Sequence, residues 1–330
     1  MPGPRILLVK LSSLGDVIHL MPAVSDLRRR LPGAYVAWAV EAPYVELVRL
    51  HPGVDEAIPV ALRALRRAPL KAHAWRDLRS ARGALGRGRW DYVVDAQGLI
   101  KSAVVASWAR APVFGMDAKS AREPIAARFY EVRVAVPRGS HAVVRNRRLL
   151  GEVFGYAADT PARYGMRAPE APPAWAPAGR YAVLLHAASR AAKLWPDDRW
   201  IALARELAAQ GYTPVFPGGT AAERESAARL ASAVGPDAIA APAMALAEAA
   251  ALIGHASGVV GVDTGLTHLA VALGVPTVGI YCATSPGLTG LHGAQAVNLG
   301  GPGAPPDVAS VLGATLGTQP HAEALGTNAA

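Results

Sequence analysis

Residues 259–270 read V-V-G-V-D-T-G-L-T-H-L-A. A short unbroken apolar run ends in Asp263, Thr264 and Gly265 supply a turn, and an apolar segment suited to a helix follows. Such a run, bounded by turn signals, fits a strand of a parallel sheet buried on both faces. At the strand's carboxyl end the helix presents N–H groups without intrahelical acceptors and the positive end of its dipole. That makes an anion site suited to a diphosphate. Gly265 allows close approach of a phosphate, and His268 lies one turn in. A plainer account makes Asp263 or Thr264 an N-cap and His268 a core histidine. The spacing D-T-G-x-x-H-x-x-A on a strand–helix junction favours the functional account.

The same alternation extends both ways. Around this junction, strands are expected at 181–186, 213–216, 259–262 and 277–280, with helices at 197–210, 222–234, 245–255 and 266–273. An earlier series places strands at 6–9, 35–40, 57–60, 92–95 and 113–115. It includes a helix running towards Arg30 and a long basic helical stretch before Tyr92. Between the two series, residues 167–179 (R-A-P-E-A-P-P-A-W-A-P-A-G) hold four prolines, too many for a helix or central strand. The expected fold is α/β, with two Rossmann-like, doubly wound parallel-sheet domains. Residues 1–166 form the first domain, 167–179 a linker, 180–315 the second domain and 316–330 a flexible tail. Ligands in such sheets bind beyond the carboxyl ends of the strands, so a cleft between the domains is the expected active site.

Other strand ends carry chemistry too. K-L-S-S-L-G-D-V-I-H (residues 10–19) puts Ser12, Ser13 and Asp16 at the mouth of the first sheet, with Gly15 for a tight turn. It lacks the G-x-G-x-x-G dinucleotide fingerprint. Asp16, at the start of a helix, also reads as a cap. H-A-A-S-R-A-A-K-L-W-P (186–196) brings Ser189, Arg190 and Lys193 to a strand end, where they could hold phosphate oxygens or form a polar surface loop. In F-P-G-G-T-A-A-E-R-E (216–225), Glu223 opens a helix, placed for ribose hydroxyls or simply for the helix dipole. The sequence has no D-x-D, no Cys/His cluster, no Walker motif and no G-x-S-x-G elbow, so neither metal nor cofactor is expected.

Composition narrows the class. The chain has 330 residues, 52% hydrophobic and 18% charged, enough to build two cores. Cys282 is the single cysteine, which excludes an internal disulfide and suits a reducing compartment. The apolar run after Arg5 is four residues long, too short for a signal-peptide core. The apolar stretch 241–262 carries Glu248 and His255, which suits a buried helix and strand rather than a membrane span. A cytoplasmic protein is expected. The net charge is +9, and between Ala61 and Trp90 nine Lys or Arg face Asp77 alone. Such a stripe attracts phosphate in nucleic acid, lipid or substrate, or is simply a solvated Arg-rich helix. No zinc-finger spacing or aromatic RNA-binding signature occurs, so no nucleic-acid partner is expected.

K-L-S-S-L-G-D (10–16) and V-D-T-G-L-T-H-L-A (262–270) resemble the two hallmark motifs of glycosyltransferase family 9, the ADP-heptose:lipopolysaccharide heptosyltransferases. D-A-Q-G-L-I-K-S (95–102), S-A-R-E-P (120–124) with Phe129 and Tyr130, and H-A-V-x-R (141–145) resemble the branch that adds the first heptose to Kdo-lipid A. The resemblance implies a GT-B architecture, with acceptor held mainly by the first domain and donor by the second. It implies an inverting, metal-independent transfer from ADP-L-glycero-β-D-manno-heptose to Kdo in lipopolysaccharide inner-core synthesis. By resemblance, Asp16 is the general base, its pKa raised in a partly dry cleft, and Lys193 neutralises the departing ADP. The amides of Thr264, Gly265 and Leu266 hold the diphosphate. Asp263 and His268 contact the heptose or its phosphate, Glu223 the ribose, and Ser12, Ser13 and Ser189 complete the donor side. Arg63, Arg66, Lys101, Arg122, His141 and Arg145 are the acceptor-side candidates. The enzyme would then be peripheral to the inner membrane and meet its cytoplasmic face transiently. The family often carries a second basic residue after the position of Arg63 and a Trp between Pro217 and Gly219; here Ala64 and Gly218 stand there.

Three rivals remain at this point. A later heptosyltransferase of the same family (heptosyltransferase II type) would act on an already heptosylated core; the 95–102 and R-E-P features speak against it. A two-lobed small-molecule binding protein of periplasmic type predicts a secretion signal. An NAD-dependent enzyme predicts the missing glycine fingerprint.

Overall fold

The structure, a computed structural model, describes residues 3–67 and 70–317. The chain gathers into two compact units whose main division falls between Pro169 and Glu170. The first unit runs β1 (Arg5–Val9), α1 (Leu14–Ile18), α2 (Met21–Arg30), β2 (Tyr35–Glu41), α3 (Val45–Arg49), β3 (Glu56–Val60), α4 (Leu62–Arg67), α5 (Ala72–Arg87), β4 (Tyr92–Asp95), α6 (Ile100–Ser107), β5 (Val113–Met116), β6 (Val132–Val134) and α7 (Ala142–Phe154). Its six strands pair in the order β3-β2-β1-β4-β5-β6, all parallel.

The second unit follows a stretch without helix or strand. Its elements are β7 (Tyr181–Leu185), α8 (Asp197–Ala209), β8 (Thr213–Phe216), α9 (Ala221–Val234), β9 (Ile239–Ala240), α10 (Leu246–Gly254), β10 (Gly258–Val262), α11 (Gly265–Ala272), β11 (Thr277–Tyr281), β12 (Ala296–Gly300) and α13 (Val308–Gly317); the short helix α12 (Pro286–Thr289) comes between β11 and β12 in the chain, and its last three residues group with the first unit. The order β12-β11-β10-β7-β8-β9 is again all parallel. In both sheets the winding reverses at the central pair, where Val9 partners Asp95 and Leu185 partners Gly261. A crevice opens at such a reversal, beyond the carboxyl ends of the two strands.

The central strands are apolar throughout because helices cover both faces of each sheet. All five residues of β10 and of β7 are buried, and so are four of five in β1. In the first unit, Ala81, Leu85, Trp90 and Tyr130 pack with Leu7, Val9 and Val93 on one face. In the second, Trp195, Trp200, Leu203 and Phe216 pack with Leu184, Val260 and Ile280. An Arg147–Asp26 pair, 2.6 Å from Nε to Oδ2 and almost fully buried, ties α7 to α2; Arg147 Nη2 also donates to the Thr160 carbonyl at 2.7 Å.

The structure corrects several sequence expectations. The single helix expected to run to Arg30 is two, α1 and α2. Pro22, in the first turn of α2, has no N–H to continue the α1 ladder. The basic stretch is likewise two helices, α4 and α5. Strands β6, β9 and β12 were not anticipated; each is a sheet edge, and the first two are only three and two residues long. Helix α13 continues through Gly317 with Val311 and Thr315 buried, so residues 316 and 317 of the expected tail are helical. Residues 318–330 lie outside the described residues.

Candidate active site

Where β1 ends, the chain enters a loop bound tightly to its neighbours. Leu11 N donates to Gln97 Oε1 at 2.7 Å, and Gln97 Nε2 donates to the Ser12 carbonyl at 2.8 Å. The peptide between Ser12 and Ser13 is cis. Lys10 is only 7% exposed; its ammonium donates to the Ala96 carbonyl at 2.7 Å and to Asn146 Oδ1 at 3.2 Å. Burial lowers its pKa, against the opposing pull of Asp16 and Asp95. Asp95, fully buried at the end of β4, accepts from Gln97 N and Ser102 Oγ at 2.8 Å and from Tyr130 OH at 2.7 Å. Burial holds its carboxyl above the usual range.

Asp16 is not the helix cap. Ser13 is the N-cap of α1, and Asp16, three residues on, reaches back to it. Its Oδ2 accepts from Ser13 N at 2.9 Å, Ser13 Oγ at 3.2 Å and Arg122 Nη1 at 3.3 Å. Burial alone would raise this carboxyl, but the charge of Lys10, the Ser13 N–H and Arg122 outweigh it, and the pKa falls below 3.8. The expected rise is therefore reversed: cations and donors surround the group. Gly15 stands inside α1 rather than in a turn.

The basic candidates fall into three environments. Lys101, in the first turn of α6, donates to Ser12 Oγ at 3.0 Å, and Arg122 meets Asp16, so Ser12, Ser13, Asp16, Lys101 and Arg122 form one group. Arg63 opens α4; its N–H donates to the Glu41 carboxylate at 3.2 and 3.3 Å, and its guanidinium donates to Tyr44 OH at 2.8 Å. Arg66 is exposed one turn later. Arg145 donates to the Ser120 carbonyl at 2.7 Å, beside the loop that carries Arg122; burial, then Arg138 and Arg122, lowers its pKa. His141 is the N-cap of α7, its Nδ1 accepting from Val143 N at 3.2 Å.

In the second unit, α11 starts at Gly265 with Thr264 as N-cap. The amides of its first turn, including Leu266, have no acceptor within the helix. Asp263 stands just before them and collects partners. Lys193 Nζ donates to its Oδ2 at 2.6 Å and to its carbonyl at 3.3 Å, and Thr284 Oγ1 donates to Oδ2 at 2.8 Å. His268 Nε2, buried below, lies 3.7 Å from Oδ1. Burial pushes the Asp263 carboxyl up, but His268, Lys193 and Thr284 together bring it far below the usual range. The loop bearing Lys193 is anchored by buried Trp195, whose Nε1 donates to the Pro306 carbonyl at 3.0 Å. Ser189 is exposed on the same loop, and Arg190 beside it.

Glu223 completes a capping box. Its Oε2 accepts from Gly219 N at 2.8 Å and Thr220 N at 2.9 Å, while Thr220 Oγ1 accepts from Glu223 N at 3.2 Å. Gly218 is forced by this turn. A Cβ there would meet Arg224 N at 2.5 Å and Glu223 C at 2.6 Å, so the backbone of α9 fills the space a side chain would need.

Sequence reasoning assigned no role to Lys10, Asp95, Gln97, Asn146 or Thr284. The first three lie within quoted motifs, and their position at strand ends was the available signal. Asn146 and Thr284 reach Lys10 and Asp263 from distant points of the chain, with no spacing to announce them.

The sequence profile of glycosyltransferase family 9 (heptosyltransferase) matches residues 78–309. Lipopolysaccharide heptosyltransferase 1 of Pseudomonas aeruginosa is 41% identical over 303 residues, covering 90% of this chain and 83% of its own. Among solved structures, E. coli heptosyltransferase WaaC with ADP is similar at a TM-score of 0.84 and 37% identity, covering 91% of this chain and 94% of its own. The same enzyme with ADP-2-deoxy-2-fluoro heptose gives 0.81 and 36%, with the same coverage. The two parallel-sheet units are those of the GT-B fold. With a family profile spanning most of the chain and a relative this similar across nine tenths of it, the chain belongs to glycosyltransferase family 9, the heptosyltransferases.

Proposed function

We propose that this enzyme transfers L-glycero-D-manno-heptose from ADP-heptose to a Kdo hydroxyl of Kdo-lipid A, with inversion and without a metal ion. The observation that carries this reading is the Lys193–Asp263 pair beside the amino terminus of α11. Two of the three ammonium N–H bonds are held by Asp263, which keeps the charge beside the start of α11 and supports a role against a leaving diphosphate. The amides of Thr264, Gly265 and Leu266 add donors, and the helix dipole adds positive potential. The relative solved with ADP and with ADP-2-deoxy-2-fluoro heptose supports an ADP-sugar as donor. Glu223 and Ser189 are assigned to the ribose and phosphate, and Asp263 and His268 to the heptose end of the donor.

On the first unit, Asp16 is the base. Its carboxylate takes the proton of the Kdo hydroxyl as that oxygen bonds to the anomeric carbon and the bond from that carbon to the ADP oxygen breaks. The negative charge left on ADP is met by Lys193. Lys101, Arg122, Arg145, Arg63 and Arg66 are assigned to the anionic acceptor, and Ser12 and Ser13 to the donor side next to Asp16. His141, the N-cap of α7, is assigned to the acceptor as well. Among the described residues no helix is long and apolar enough to cross a membrane. A lipid-anchored acceptor then requires a peripheral enzyme working at the cytoplasmic face of the inner membrane.

The test is ADP release from ADP-heptose with Kdo-lipid A, in EDTA, for wild type and Asp16→Asn. Acceptor-dependent release that persists in EDTA and disappears in the variant supports the proposal. Release only with a heptosylated core keeps the family and changes the acceptor. Loss in EDTA restored by a divalent cation overturns metal independence.

A further inference from the structure

Helix α5 reaches the first unit's core through its second half. Ala81 and Leu85, in its second half, are buried in the first unit's core. Over residues 72–80 no described side chain is buried. Trp75 is 48% exposed, and Leu70, just ahead of the helix, is 98% exposed. Helices in proteins draw most of their stability from a packed face, so a half that lends no described side chain to the core and carries a large, half-exposed aromatic offers a surface for docking. Lys71, Arg76, Arg79 and Arg82 are exposed around Trp75, with Asp77 as the only acid. A second exposed apolar feature adjoins Lys101 and Arg122, which meet Ser12 and Asp16. Ile125 is 54% exposed in the turn after Arg122, and Ile100, 38% exposed, precedes Lys101. Ile100 N donates to Glu123 Oε2 at 2.7 Å, which brings the two isoleucines to one corner.

We propose that the first half of α5 and the Ile100–Ile125 corner dock this unit on an anionic lipid bilayer. Trp75 and Leu70 enter the headgroup boundary, and the arginines lie among lipid phosphates. Charge complementarity selects this occupant: four cations against one acid around an indole suit a surface that is anionic outside and apolar beneath. The inference rests on the lipid-anchored acceptor proposed above, because docking here would keep the Asp16 group at the height of a sugar projecting from the membrane.

The experiment is flotation with vesicles of phosphatidylethanolamine and phosphatidylglycerol, and with phosphatidylcholine alone, at low and high salt. Wild type is compared with Trp75→Ala, Ile125→Ser and the double variant Arg76→Ala/Arg79→Ala, alongside ADP release on a soluble, deacylated acceptor. The expected result is binding to anionic vesicles that weakens in salt and falls about fivefold for each arginine removed. Trp75→Ala and Ile125→Ser also weaken it, while activity on the soluble acceptor is unchanged in all three. Wild type that fails to float, floats equally on phosphatidylcholine, or floats no better than its variants overturns the proposal. Binding to nucleic acid in place of vesicles overturns it and names another partner. If wild type floats as expected but releases no ADP with the soluble acceptor, the docking surface stands and the proposed reaction fails.

Discussion

Two donors from Ser13 and one from Arg122 hold the Asp16 carboxylate, and Lys10 lies behind it as the strongest cation acting on it. As its pKa is below 3.8, the group is ionised across the neutral range and becomes protonated only as pH falls through that lowered value. The acid limb of kcat/KM should therefore lie below the ordinary carboxylate range. Lys10→Met removes the main lowering influence, so the Asp16 pKa rises and the loss of rate begins at a higher pH than in wild type. An unmoved limb would mean that Asp16 is not the group being read. Asp16→Asn keeps the acceptor for Ser13 but cannot take a proton, and kcat should fall about 10²- to 10⁴-fold. Lys193→Ala should cost roughly 10²- to 10³-fold in kcat, the scale for losing a fixed donor to developing negative charge. Both losses are measured as ADP release.

Elements hold these residues in place, and their junctions are where substitutions act. Gly218→Ala would drive a methyl into the backbone of Glu223 and Arg224, so α9 would have to shift. The expected cost is about 1–3 kcal/mol, read from the denaturant midpoint. Asp26→Ala would strand buried Arg147 between α2 and α7 and should cost roughly 3–5 kcal/mol. The sequence announced elements in proportion to their burial. Strands β1, β7 and β10, covered on both faces, read as unbroken apolar runs, whereas the edges β6, β9 and β12 are short or carry Arg, Asn and Gly. Lys193 and Asp263 were legible as residues of loops beyond strand ends, but the contact between them was not. Their 2.6 Å pairing depends on how Trp195 anchors one loop and Thr284 approaches from another. Asp16 was legible as a helix-start carboxylate, while its lowered pKa depends on Lys10, whose burial no local pattern reveals.

For the molecule as a whole, pH and chain order set the terms of folding. His51 is buried; its Nδ1 accepts from Gly53 N at 2.9 Å and its Nε2 lies 2.9 Å from Ser25 Oγ. Burial, with help from Arg28, lowers its pKa from 6.5 to about 4. The unfolded chain thus binds this proton first. Stability is fully present above pH 6.5 and declines as pH falls towards 4, by about 3 kcal/mol at most. His186, also lowered by burial, adds to the same decline, whereas Asp16 and Asp263 contribute only at more acid pH. Urea unfolding at successive pH values should show this slope, and His51→Gln should flatten part of it. Both sheets are parallel throughout, so no strand pair closes through a tight turn: β1 must wait for β4, and β7 for β10. On the ribosome the first unit has all its strands and α7 well before the second is complete. The second keeps its sheet incomplete until β12 and α13 emerge, α13 packing against β10 and β11 as α11 does. A nascent chain that had emerged only as far as β12 would carry one finished half and a second sheet still short of one covering helix, an exposed apolar strip of the kind chaperones bind.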